Sequence, residues 1–181
     1  MPMMSDTHIT PSVDLIRLRR LCDGLAQWAF TDFQQARTAL QELEAAITPR
    51  LPFDIRLAYH QHRAFLENQW RHFDQSLEHF DRAIGILESL ADPLPLAEVW
   101  LDVAAVHLNQ RDWPAVQQCL DRARRYLNQA NAPNLQALLA CREGFLNLHL
   151  GNHRLALEKL QEAERGLLGL GDQARLKDYY V

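Results

Sequence analysis

The sequence predicts an all-α protein: a solenoid of four antiparallel helix hairpins followed by a C-terminal helix stub. Three observations carry this. The chain matches itself at a spacing of forty residues, its apolar positions fall at helical spacing, and polar turns recur where hairpins would fold back. The clearest unit is GFLNLHLGNHRLALEKLQEAERGL, from Gly144 to Leu167. It reads as the end of one helix, a turn at Gly151-Asn152, and a second helix. Glycine tolerates positive φ, and asparagine competes for the helix's backbone hydrogen bonds. Ala156, Leu157, Leu160, Ala163 and Leu167 then have the spacing of one buried face. Gly144 is the small residue where a packing partner comes close.

Shifted by forty, the same columns recur. Gly24, Ala64, Ala104 and Gly144 give a small residue, and Phe33, Phe73, Trp113 and His153 a ring just after the turn. In the second helix Ala36, Ser76, Val116 and Ala156 are followed by Leu40, Phe80, Leu120 and Leu160. Then come Leu43, Ala83, Ala123 and Ala163, and finally Ile47, Leu87, Leu127 and Leu167. A fixed period in the range of about 20–50 residues marks stacked repeats that bury their faces against one another.

Element by element, residues 1–11 are polar and read as a flexible N-terminal arm. The first helix is expected from Pro11 or Ser12 through Trp28, with Asp32 capping the second, which stops before Thr48-Pro49. The second pair spans about 52–70 and 73–90. Asp92-Pro93-Leu94-Pro95 separates it from the third, about 96–109 and 113–129, where Pro114 falls in a first turn. Asn131-Ala132-Pro133 opens the fourth pair, and Gly169 and Gly171 close it. The repeats are therefore 12–50, 51–91, 92–130 and 131–171. Residues 172–181 read as the start of a fifth repeat in an array cut short, with a capping helix as the alternative. No segment alternates with period two, so no sheet is expected.

Composition bounds the function. Of 181 residues, 48% are hydrophobic and 23% charged, as in an ordinary soluble fold, and no apolar run is long enough to span a membrane. A net charge of −4 gives no general reason to seek nucleic acid or an anionic membrane surface. The N-terminus has neither the basic start nor the apolar segment of a secretory signal, and three cysteines make no disulfide framework; both point to the cytoplasm.

Enzyme signatures are weak. His60 and His62 point about 200° apart on a helix and cannot share an ion. A turn separates His149 from His153, and no HExxH motif occurs, so neither a metal nor another cofactor is expected. His153 reads as a packing residue of the ring column. Cys119 and Cys141 read as structural, although Arg142 beside Cys141 could lower its pKa. Arg17, Arg19 and Arg20, and Arg122, Arg124 and Arg125, read as solvated faces. No catalytic residue is assigned.

The columns resemble the tetratricopeptide repeat family over about residues 12–171. The third copy carries the likeness best, with Trp100, Val103, Ala104, His107, Val116, Leu120 and Ala123. The fourth offers Ala140, Gly144, Ala156, Leu160 and Ala163; the first is weakest, with Leu43 in place of the final Ala. The family's usual period is 34, so forty points to its longer-helix variant, found in bacterial regulators and signalling adaptors. The resemblance implies a right-handed superhelix whose concave surface, lined by first helices, holds a protein or peptide. Carried over, that surface comprises Leu25 and Trp28, then Gln61, His62, Phe65, Asn68 and Gln69. It continues with Leu101, Asp102, Ala105, Leu108 and Asn109, then Cys141, Arg142, Phe145 and His149. Amides and Arg would satisfy an extended backbone while rings grip side chains. The cationic and Asn positions of the family's clamp for chaperone C-terminal tails are held by Gln61, Leu101 and Cys141, then Phe65, Ala105 and Phe145, so that specificity is not expected. The expected function is a non-enzymatic binding scaffold, a sensor or adaptor part of a larger regulatory protein. Self-association as a homodimer controlling an attached effector domain is the alternative, and a metal-dependent hydrolase a third.

Overall fold

A computed structural model describes residues 14–90, 92–128 and 131–169. They form eight helices and, among the described residues, no strand: α1 (Leu15–Thr31), α2 (Phe33–Ala46), α3 (Phe53–Gln69), α4 (Phe73–Leu87), α5 (Pro93–Gln110), α6 (Trp113–Leu127), α7 (Pro133–His149) and α8 (His153–Gly169). The fold is all-α, with helices packed in adjacent pairs as in a helical-repeat solenoid. The second helices begin at Phe33, Phe73, Trp113 and His153, so the forty-residue period sets the element boundaries. The expected arm 1–11 and stub 172–181 lie outside the described residues.

Caps explain where helices start. Asp14, Asp32, Asp92 and Asp112 each accept a backbone N–H in the first turn of α1, α2, α5 and α6. Two boundaries differ from expectation. Asp14 is non-helical and caps α1, which therefore begins at Leu15 rather than near Pro11. Asp92 caps α5 at Pro93, so Pro93-Leu94-Pro95 is a first turn and not a separator. Both prolines sit where an N–H would lack an intrahelical acceptor anyway.

Three of the four inner turns repeat in detail. Arg71, Arg111 and Gly151 adopt left-handed φ of 63°, 61° and 80°. At each, two backbone bonds close the preceding helix: Arg71 N to Asn68 O (3.0 Å) and His72 N to Glu67 O (2.8 Å) after α3. The pairs after α5 and α7 are Arg111–Leu108 (3.1 Å) with Asp112–His107 (3.0 Å), and Gly151–Leu148 (3.2 Å) with Asn152–Asn147 (2.9 Å). This is the Schellman closure, in which a left-handed residue lets two orphan carbonyls be satisfied.

The chain divides into two compact units, Met1–Tyr59 and His60–Val181. In the first, α1 packs along α2 and buries Leu18, Cys22, Leu25 and Ala29, together with Ala36, Ala39, Leu40 and Leu43. Ile55 is also buried, and its carbonyl lies 4.0 Å from Cys22 Sγ. Arg17 pairs with Glu42 at 2.6 Å and Arg19 with Asp54 at 3.1 Å, both largely exposed.

In the second unit α4 packs on α5, α5 along α6, α6 on α7 and α7 along α8, while α5 also meets α7. A helix with neighbours on several sides must be apolar on most of its circumference. α5 obeys, burying Leu96, Ala97, Val99, Leu101, Val103, Ala104 and Val106. Small residues let helices approach: a Cβ at Gly144 would come within 2.7 Å of Leu160 Cγ. Gly24 differs, because a Cβ there would meet the ring of Trp28 on its own helix. The ring column is not core either, since Phe33 is half exposed and His153 is exposed instead of packed. Leu157 was expected in the buried face of α8 but is 58% exposed.

Two buried carboxylates tie the second unit together. Glu67 on α3 meets Arg63 Nε at 2.7 Å and the His72 ring at 2.7 Å. Glu143 on α7 pairs with Arg124 of α6 and, at 3.0 Å, with Lys159 of α8. A buried charge is tolerated when paired and hydrogen-bonded in this way.

Candidate functional site

The first helices of the second unit share one partly exposed stripe. Its members recur at forty-residue steps: His62, Asp102 and Arg142; Phe65, Ala105 and Phe145; Gln69, Asn109 and His149. Within each helix the spacing is i, i+3, i+7, so the three fall on one face. The first two rows are half-buried and the last is exposed. Gln61 and Asn68 are half-buried beside the stripe on α3.

Two contacts order it. Asn109 Nδ2 donates to Asn68 Oδ1 at 3.0 Å, joining α5 to α3. The His149 ring stacks on Trp113, with centroids 4.8 Å apart and planes 15° apart, which fixes the end of α7 against the start of α6. Phe145 packs against the core formed by Ala137, Ala140, Cys141, Ala163 and Leu167 while keeping part of its surface open.

Other expected members are not brought to the surface. Leu101 is 0% exposed and belongs to the core of α5. Leu25 and Cys141 are likewise buried. The free arc of α5 is narrow because α4, α6 and α7 all press on it, and a carry-over one residue off lands inside. Trp28 is half-buried in the first unit, its ring folded back over Gly24.

The polar chemistry of the stripe is sparse. Arg142 Nε is buried and makes no hydrogen bond, and the neighbouring acid Glu143 is already taken by Arg124 and Lys159. Burial raises the Cys141 thiol pKa and outweighs the opposite pull of Arg142, so the thiol stays protonated. Burial also pushes Cys22 and Cys119 up to about 11. None of the three has the lowered pKa that a cysteine nucleophile needs.

The basic clusters resolve into pairs: Arg124 bonds Asp121 at 2.7 Å, and the Arg122 guanidinium lies 4.3 Å from the centre of the Trp100 ring. One arrangement has no sequence signal. His60 and His79 face each other with Nδ1 atoms 2.9 Å apart, one on α3 and one on α4. Among the described residues no group of three or more His, Cys, Asp or Glu converges as metal ligands would, and no helix is long and apolar enough to cross a membrane.

No protein-family model matches the chain, and no curated protein matches it in sequence.

Proposed function

We propose that the chain is a non-enzymatic scaffold that binds a protein or peptide segment along the first-helix stripe of the second unit. The register of that stripe carries the reading: three helices repeat polar, apolar and amide or imidazole positions at one spacing, and Asn68–Asn109 links two of them. Such a row offers side-chain donors and acceptors to an extended backbone and apolar patches to its side chains. The resemblance to long tetratricopeptide repeats supports the same reading, as a cytoplasmic sensor or adaptor in a bacterial regulatory protein. An ordinary interface of about 800 Å² per partner fits such a surface.

The test is selection of peptides from a displayed random library, followed by binding to a double variant. Arg142→Ala with Asn109→Ala should weaken the selected peptides about tenfold or more, a loss of about 1.4 kcal/mol, with circular dichroism unchanged. Arg154→Ala, at an exposed side chain on α8, should leave affinity intact. Equal binding by the double variant contradicts the assignment.

Self-association is favoured by a separate observation: Leu155, Leu157 and Leu168 of α8 are 42%, 58% and 63% exposed. Sedimentation at two concentrations separates the readings, because a self-associating chain would sediment as a dimer, and a monomeric scaffold as a monomer, at both.

A further inference from the structure

Three side-chain contacts tie α4 to α3, each further from the turn than the last. Nearest the turn the His72 ring meets Glu67 at 2.7 Å, and beyond it Ser76 Oγ donates to Ala64 O at 2.7 Å. The third joins His60 to His79, whose Nδ1 atoms lie 2.9 Å apart. Both rings are half-buried. Their centroids are 5.2 Å apart, which exceeds the nitrogen separation by the radii of the two rings, so the nitrogens meet nearly head-on. A metal ion between them would need the nitrogens about 4 Å apart, twice an ordinary metal–imidazole distance. At 2.9 Å only a proton fits.

One ring must therefore donate its Nδ1–H while the other accepts with its Nδ1 lone pair. A first added proton can go to the donor's Nε2, and the bond survives as a charge-assisted one. A second proton has only the accepting Nδ1 left to it. It sets two N–H groups and two positive charges against each other, which breaks the bond. Around the pair α3 supplies Arg63 and Glu67, and α4 supplies Arg82 and Glu78. The ionisable side chains of α5, which also packs on α4, are Glu98, Asp102 and His107. Burial foremost, then Arg82 and Arg63, lowers the His79 pKa, so the second proton arrives only below the ordinary 6.5.

We propose that His60 and His79 form a two-step acid switch, which holds α4 to α3 through the first added proton and releases it on the second. The contact between His72 and Glu67 answers acid the opposite way, because a charged imidazole binds a carboxylate more strongly. Hence α4 loosens beyond Ser76 while the turn end stays closed. The switch operates whether or not a peptide occupies the stripe.

The test is NMR on the full chain with nitrogen-15 histidine, its rings assigned with His60→Phe and His79→Phe. At pH 7.5 one ring of the pair should be the Nδ1–H tautomer and the other Nε2–H, with a nitrogen–nitrogen coupling across the bond. On acidification the pair should titrate in two steps. The coupling should outlast the first step and vanish at the second, while amide protection in α4 beyond Ser76 falls about tenfold, as loss of one hydrogen bond allows. His60→Phe should leave His79 a single step and abolish that acid-induced loss of protection. Nε2–H tautomers in both rings, no coupling at pH 7.5, or independent titration of the two rings overturns the switch. So does loss of the coupling at the first step, or protection unchanged at the second.

Discussion

Gly144 on α7 and Leu160 on α8 touch so closely that neither can change alone. A Cβ added at 144 would lie 2.7 Å from Leu160 Cγ, 2.8 Å from Cδ2 and 3.3 Å from the backbone nitrogen. Gly144→Ala gains about 1 kcal/mol of helix propensity but overpacks a helix contact, which costs about 1–3 kcal/mol. The expected result is a net loss of about 1 kcal/mol, recovered in part when Leu160→Ala is added. Gly85 is the counter-case, because nothing lies within 4 Å of its added Cβ and it is exposed within α4. Gly85→Ala should stabilise by about 0.5–1 kcal/mol. Urea unfolding of the three variants checks both signs.

The three inner turns give a second opposed pair. Arg111 holds a left-handed φ of 61°, which a residue with a Cβ adopts at a cost of about 1–2 kcal/mol. Arg111→Gly should therefore raise the thermal midpoint, and Gly151→Ala should lower it. If Arg111→Gly destabilises, its side chain contributes more than its backbone costs.

These turns also show how far the sequence could be read. The period, the starts of the second helices and the cap at Asp32 were visible, because Asp before an apolar helical run has one ready explanation. The left-handed residue was visible only at Gly151, since Arg71 and Arg111 carry no turn chemistry of their own and only the forty-residue period aligns them with that glycine. The candidate stripe was legible as a set of positions but not at its edges. Leu101 and Asp102 are adjacent on α5, yet one is core and the other half-open, and packing by three neighbours decides between them. The burial of Glu67 and Glu143 depends on partners four to nineteen residues away, which the forty-residue period does not supply.

The cysteines should be inert in the folded protein. With Cys22 and Cys119 held at about 11 and Cys141 also raised by burial, little thiolate exists at pH 8. A chromogenic disulfide reagent should release no fast signal from the native chain and three equivalents after denaturation in guanidinium. Rapid reaction of one native thiol would reopen a cysteine-based activity.

The burial of His79 gives stability a pH dependence of defined sign. Burial foremost, then Arg82 and Arg63, lowers the His79 pKa from its ordinary 6.5, against weaker opposite pulls from Glu78 and Glu67. With the folded value the lower one, the unfolded chain binds more protons as pH falls past 6.5. The stabilising contribution is complete above that pH and lost below it. Thermal midpoints should drop between pH 7.5 and pH 5.5, and His79→Gln should shrink the drop.

The measurement that bears most directly on stacked forty-residue hairpins is removal of one whole period. Deleting 93–132 joins α4 to α7 in the register in which α4 now meets α5 and α6 meets α7. Repeat arrays are stabilised by interfaces between nearest neighbours, so the shortened chain should keep its helix content per residue and a cooperative thermal transition. Deleting 93–126, six residues fewer, should abolish that transition. Equal behaviour of the two deletions, or collapse of the forty-residue one, would contradict the account.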